Sequence, residues 1–134
     1  MYDGLVTTLF KDRLYLSSEN HIVFAARGKS DRNVALSNAI QLAKAEFEGR
    51  WKKGIDVPTT VSSSVPSETP CLQIIDYYLW AIQRMIERAE DRYFRYLADH
   101  YKLIIDRDDE RTARWGAYYT SKNPFALDKM MPVL

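Results

Sequence analysis

The chain has 134 residues, 46% apolar and 13% aromatic, which is enough to close one hydrophobic core and too much for a disordered chain. Nineteen basic and eighteen acidic side chains leave a formal net charge of +1, so the bulk field exerts no strong pull on nucleic acid or anionic lipid, and any such binding has to be local. Cys71 is the single cysteine; it excludes an internal disulfide and suits a reducing compartment, without excluding secretion.

The start, Met1-Tyr2-Asp3-Gly4, places an acid before the first short apolar run and has no basic segment or small-residue cleavage site. A secretory signal is therefore not expected, and the cytoplasm is the expected location. Leu5, Val6, Leu9, Phe10 and Leu14 fall at helical spacing, so a first helix is predicted over residues 3–15 with Asp3 as its N-cap. Asn20 breaks that pattern, and His21 to Ala26 reads as a short strand buried on both faces, ended by the Arg27-Gly28 turn. Ser30 or Asp31 can cap a long second helix running to about Trp51, with Val34, Leu36, Ile40, Leu42, Ala43 and Phe47 near a 3.6-residue period and Gly54 ending it.

Residues 57–63, with three consecutive β-branched residues after Pro58, predict a second strand. The serine- and proline-rich run from Ser62 to Pro70 is a loop. Pro70 suits the first turn of a third helix, whose stripe of Leu72, Ile75, Leu79, Ile82 and Ile86 continues through a charged stretch toward Asp99, with a break near Ala89 to Asp91. In that stretch Asp91 and Arg95 stand four apart in the favourable order for an ion pair. Tyr101 to Asp106 predicts a third strand. The remainder has no clear period, so the chain divides into an α/β domain over residues 1–109 and an irregular aromatic arm over 110–134. The longest apolar runs, Ile22 to Ala26 and Leu72 to Ile82, are too short to span a bilayer, and no membrane association is expected.

Strands alternating with helices argue for an α/β fold: a short, mostly parallel sheet of about three strands covered by three main helices. So small a sheet leaves its edge open, which points to further strands or a partner chain.

Asp76 is the sharpest candidate for chemistry. At about 100° per residue it lies to one side of the apolar stripe, near Gln83 and Glu87. A carboxylate early in a helix, beside a serine-rich loop, offers the oxygen that a hard divalent cation takes. The ordinary reading is a boundary aspartate bonded to a neighbouring arginine or loop amide. Gly28-Lys29-Ser30 sits between a strand and a helix, where a phosphate loop would lie, but the pattern needs glycine at position 23, which is Val23.

Arg27, Lys29, Arg32, Arg50, Lys52 and Lys53 can form a basic edge, and a late set of Arg111, Arg114, Trp115, Tyr118, Tyr119 and Lys122 interleaves charge with aromatic rings as nucleic-acid surfaces do. Of these, Lys29, Arg32, Arg114 and Trp115 are the nucleic-acid candidates, set against a solvated face and rings packed on the core. His21 and His100 have no close cysteine or histidine partner in sequence, so both are read as structural, and neither zinc binding nor catalysis with Cys71 is supported.

The stretch SSSVPSETPCLQIIDYYLWAIQRMIERAEDRYFRYL resembles the signature region of the family known as domain of unknown function 3800, in which a serine-containing loop leads into a helix beginning LQ-x-x-D. The turn FAARGKSDRN and the late segment YYTSKNPF resemble one branch of it, so the likeness covers most of the chain. The resemblance implies a ribonuclease-H-like fold and a metal-dependent, nuclease-type site. Asp76 carries over as a metal ligand and catalytic residue, with Glu68 a weaker addition, and magnesium or manganese as the ion of the complete domain. The family's N-terminal strand opens on an Asp-Glu-Ser motif that this sequence lacks. Two-metal cleavage needs several converging carboxylates, so the chain alone is expected to be inactive and to bind no ion tightly.

The expected function is therefore the C-terminal fragment of a ribonuclease-H-like nucleic-acid-processing protein, from a truncated frame, a split gene or a degenerate copy. Its partner would be the N-terminal half, or a second copy through the sheet edge. The alternative is a non-catalytic interaction module that pairs its open edge with another chain. A small-molecule enzyme on a doubly wound sheet ranks last, because no phosphate loop or nucleophile motif is present.

Overall fold

A computed structural model of the chain describes residues 2–26, 32–54 and 56–130. Among these the fold is mixed α/β. The elements run α1 (Tyr2–Phe10), β1 (Asn20–Ala25), α2 (Asn33–Trp51), β2 (Thr59–Ser64), α3 (Pro70–Arg88), α4 (Arg92–Leu97), β3 (Ile104–Asp106) and β4 (Ala117–Tyr119), with short 3-10 turns at Ala98–His100 and Leu127–Lys129. The chain separates into two compact units, Met1–Leu72 and Gln73–Leu134. No helix among the described residues is long and apolar enough to cross a membrane.

The first unit is built around α2. Leu36, Ala39, Ile40, Ala43 and Phe47 recur at helical spacing and are buried with Val6 of α1 and Leu14. Phe10, Ile22, Phe24, Val57 and Val61 pack against that cluster. The buried Thr7 hydroxyl of α1 is satisfied twice: Oγ1 donates to the Asp3 carbonyl at 2.9 Å and lies 3.2 Å from that of Ala39, which ties α1 to α2. The predicted helix over 3–15 stops at Phe10, and the residues that follow form tight turns.

β1 and β2 pair in parallel, from Asn20 opposite Thr59 to Ala25 opposite Ser64, joined by α2 as the crossover. Asn20 opens β1 rather than breaking the chain before it. Its amide donates to the Pro58 carbonyl and its side chain to the Leu14 carbonyl, both at 2.8 Å. The expectation that this strand is buried on both faces is corrected: His21 is exposed and the other residues are half-buried, because among the described residues a single strand flanks it. α2 starts after Arg32 with no side-chain cap; Ser30 and Asp31, the expected caps, lie outside the described residues. Its end is set by Lys52 in the left-handed region (φ 52°) rather than by Gly54, with the Lys52 amide donating to the Glu48 carbonyl at 2.7 Å.

The second unit packs α3, α4 and the β3–β4 pair around Met85, Phe94, Tyr119 and Phe125. Phe125 stands edge-on to Phe94 (5.5 Å between centroids, 89°) and tilts against Tyr119 (4.8 Å). α3 ends at Arg88, and Ala89 turns the chain with φ 52°; the break read from the sequence is real. Asp91 and Arg95 form the expected ion pair at 3.3 Å. On α3 the wholly buried positions are Leu72, Ala81 and Met85, while Ile75, Leu79 and Ile86 of the predicted stripe are exposed. Ala81 and Met85 have no exposed surface, so the buried face lies off the stripe that the larger side chains mark.

The third predicted strand does not extend the parallel sheet. β3 pairs antiparallel with β4, Ile104 opposite Tyr119 and Asp106 opposite Ala117, as a separate two-stranded sheet. The short connection suits an antiparallel pair and is too short for a parallel crossover. The segment read as an irregular arm thus contains β4, the Thr120–Asn123 bridge and a 3-10 turn, and it places Tyr119 and Phe125 in the core.

Candidate functional site

Asp76 lies on α3 in the second unit, six residues beyond Pro70, with its side chain exposed. It has no hydrogen bond or ion pair among the described residues, so the ordinary reading, a carboxylate bonded to an arginine or loop amide, finds no partner there. Glu68 belongs to the first unit, in the turn between β2 and α3. Its amide donates to the Val65 carbonyl at 3.0 Å and its side chain is exposed. Ser64 and Thr69 close the same turn through their hydroxyls at 2.6 Å. Among the described residues no three His, Cys, Asp or Glu side chains gather in one place.

The nucleic-acid candidates divide. Lys29 lies outside the described residues, as does the Gly28-Lys29-Ser30 turn. Arg32 reaches back to Asp3 at 3.3 Å, an ion pair at the surface. Arg114 is exposed beside Trp115, itself 66% exposed, in the turn before β4. Of the neighbours grouped with them, Arg111 is committed to Asp109 and Tyr119 is buried. The late aromatic set is therefore part core and part surface.

Asp109 is a buried anion that the sequence did not single out. It is 3% exposed, and Arg111 clasps it with Nε on Oδ1 and Nη2 on Oδ2, each at 2.8 Å. The Tyr119 hydroxyl stands 3.5 Å from Oδ2, and both Arg111 and Tyr119 also donate to the Lys129 carbonyl. The hydrogen bond from Arg111 holds the Asp109 carboxyl down to about 2, and the Asp109 bond raises Arg111 above the usual arginine range. Burial raises the Tyr119 phenol, with the Asp109 charge adding to it. Tyr101, packed edge-on against Tyr78 of α3, behaves likewise: it is pushed up to about 12 by burial and donates to the Tyr78 carbonyl at 2.6 Å. These arrangements hold the β3–β4 segment and the chain after it. The local Asp-x-Arg spacing was the available signal.

On the open face of the β1–β2 sheet, His21 Nε2 stands 2.9 Å from Glu19 and Nδ1 stands 2.8 Å from the Thr60 hydroxyl. Carboxylate, imidazole and hydroxyl in a row resemble a nucleophile relay, but the imidazole is 64% exposed and lies on a flat strand surface, where water competes for every contact. It works as a cross-strand polar pair. Cys71 is exposed and free.

Each unit carries an open cleft. One, of about 470 Å³, is floored by Phe94, Tyr101, Tyr119 and Phe125 and rimmed by Asp99 and Lys102. The other, of about 510 Å³, lies where the turn after α1 meets the end of α2, and is lined by Asp12, Tyr15, Phe47, Arg50, Trp51 and Lys53. Arg50 and Lys53 belong to the basic edge read from the sequence; that Trp51, Tyr15 and Asp12 join them was not legible. No family model, curated protein or solved structure matches the chain.

Proposed function

We propose that the chain is a non-catalytic interaction module that adds a strand from another chain to its β1–β2 sheet. The observation that supports this reading is that the parallel sheet has two strands, with no third joined to it among the described residues. Parallel sheets are ordinarily extended and covered on both faces, and a two-stranded one is marginal alone. The bonds from Asn20 to Pro58 and from Ala26 to Ser64 fix which amides face inward. By alternation the amides of His21, Val23 and Ala25 face away from β2, and those of Thr59, Val61 and Ser63 away from β1. Each edge therefore presents a row of donors suited to β-augmentation.

Light scattering on the size-fractionated chain tests this. A mass above the 15.6 kDa monomer is expected, and it should fall to the monomer in Val23→Pro or Val61→Pro, since each removes an outward donor and leaves the β1–β2 bonds in place. A clean, well-folded monomer in the parent chain opposes the reading.

A second reading rests on the family resemblance and on exposed Asp76, whose side chain has no partner among the described residues: the chain is the C-terminal portion of a ribonuclease-H-like nucleic-acid-processing protein, inactive by itself. On this reading the added strand brings the missing acids. Manganese titration of the chain joined to an acidic partner strand should then show binding that Asp76→Asn abolishes; no binding in the joined protein opposes it.

A further inference from the structure

The cleft at the end of α2 gathers two open aromatic faces and a cluster of cations in one unit. Tyr15 is 50% exposed, with one face stacked on buried Phe47 (4.9 Å between centroids, 28°). Trp51 is 59% exposed and carries the Arg50 guanidinium 5.5 Å from its ring centroid. Each ring is thus held by a neighbour and keeps surface for a further planar group. Exposed Lys52 and Lys53 follow directly. The left-handed turn at Lys52 ends the helix there and sends Lys53 and Gly54 along the cleft wall.

Charge decides what such a cleft takes. The carboxyl end of α2 carries roughly half a negative charge, and Asp12 lines the cleft at 3.9 Å from Arg50. Glu48 adds a second carboxylate, its Oε1 beside the lining residue Gly54; against these stand Arg50, Lys52 and Lys53, three cations to two carboxylates and the helix end, so the balance is only slightly positive. The Asp12 contact is long and at the surface, and such pairs are worth little; a phosphate can replace it with charge-assisted bonds to Arg50. Aromatic cages that hold cationic ligands are excluded by the same three cations. The volume, about 510 Å³, is that of an ordinary small-ligand site.

We propose that this cleft binds single-stranded nucleic acid, one base stacking on Tyr15 and Trp51 while Arg50, Lys52 and Lys53 hold the adjoining phosphates. Base stacking on protein rings tolerates any sequence and requires an unstacked base, so duplex is disfavoured. The inference stands on the first unit's own residues and is independent of the sheet-edge reading, whose proline variants leave the cleft intact.

Fluorescence anisotropy of a short fluorescein-labelled oligothymidylate with the full chain tests it. Binding is expected, falling with salt at a log–log slope of about −2 for three neutralised phosphates. Trp51→Ala should weaken it roughly tenfold, the effect of one lost stacking platform, and Lys53→Glu should weaken it and flatten the salt slope. Asp12→Asn, which removes the carboxylate lining the cleft, should tighten it. Circular dichroism confirms that each variant is folded, and Lys53→Glu, an exposed charge change, keeps the test alive if Trp51→Ala does not fold. The proposal is overturned by absence of binding at low salt, or by unchanged affinity in Lys53→Glu. It is equally overturned if duplex or a poly-glutamate of equal length binds as tightly, or if thymidine monophosphate alone matches the strand.

Discussion

The turn into β4 depends on Gly116, and replacing it with alanine sets a sharp test of the β3–β4 pairing. Gly116 has φ +99°, and a Cβ built there would stand 2.4 Å from the Asp106 carbonyl oxygen and 2.8 Å from Arg107 Cα. Both obstacles are backbone, so no rotamer change relieves them; the two segments have to separate by more than half an ångström. The left-handed backbone costs a side chain about 1–2 kcal/mol, and forcing apart a packed contact adds about 1–3 kcal/mol. A loss of about 3 kcal/mol is therefore expected for Gly116→Ala. Gly49 provides the internal control, because it lies within α2 and a Cβ there meets nothing within 4 Å. Gly49→Ala should stabilise by about 0.5–1 kcal/mol through helix propensity alone. Urea denaturation of the full chain, followed by far-ultraviolet circular dichroism and by tryptophan fluorescence, measures both. A loss below about 1 kcal/mol for Gly116→Ala, or the same sign for the two substitutions, would refute the geometry.

Three further outcomes are expected. Asp109 has a folded-state pKa depressed to about 2, so its contribution to stability is present above the unfolded aspartate value and is lost as pH falls from about 4 through about 2; acid titration should show this in the parent chain, and Asp109→Asn should lack that part of the pH dependence. Met85→Ala, at a position with no exposed surface, should cost about 3 kcal/mol in thermal or chemical unfolding, whereas Ile86→Ala next to it, 42% exposed, should cost under about 1 kcal/mol. Ala89→Gly, at φ 52°, should gain about 0.5–1 kcal/mol, and a loss there would mean that α3 does not end as described.

Much of the first unit is legible in the sequence because each of its elements is long or chemically uniform. α2 repeats its apolar side chains over 19 residues, the Pro58-led β-branched run marks β2, and a helix between two strands dictates parallel pairing. The second unit is harder to read. β4 has three residues, too few for a period, and its pairing with β3 depends on Gly116 and on an Asp109 clasp assembled by folding. α3 misleads for a different reason: counting large apolar side chains favours Ile75 and Leu79, while the closest packing falls on Ala81 and Met85. Among the candidate residues, Asp76 lacks, among the described residues, the arginine or loop amide that its position at the edge of the stripe suggested, and the sequence could not say that Arg32 is engaged with Asp3 or that Tyr15 comes to line one cleft with Trp51.

The hydroxyl-rich character of β2, Thr-Thr-Val-Ser-Ser-Ser, bears on how a bare edge survives in water. A strand of valine and isoleucine left unpaired would recruit any extended segment it met and grow into aggregates. Exposed Thr60 and Ser62 put hydroxyls rather than apolar side chains on the strand's open face, so adhesion there demands a segment whose main-chain bonds and side chains both match. On the interaction-module reading proposed above, the same polarity would make capture of a third strand selective and reversible.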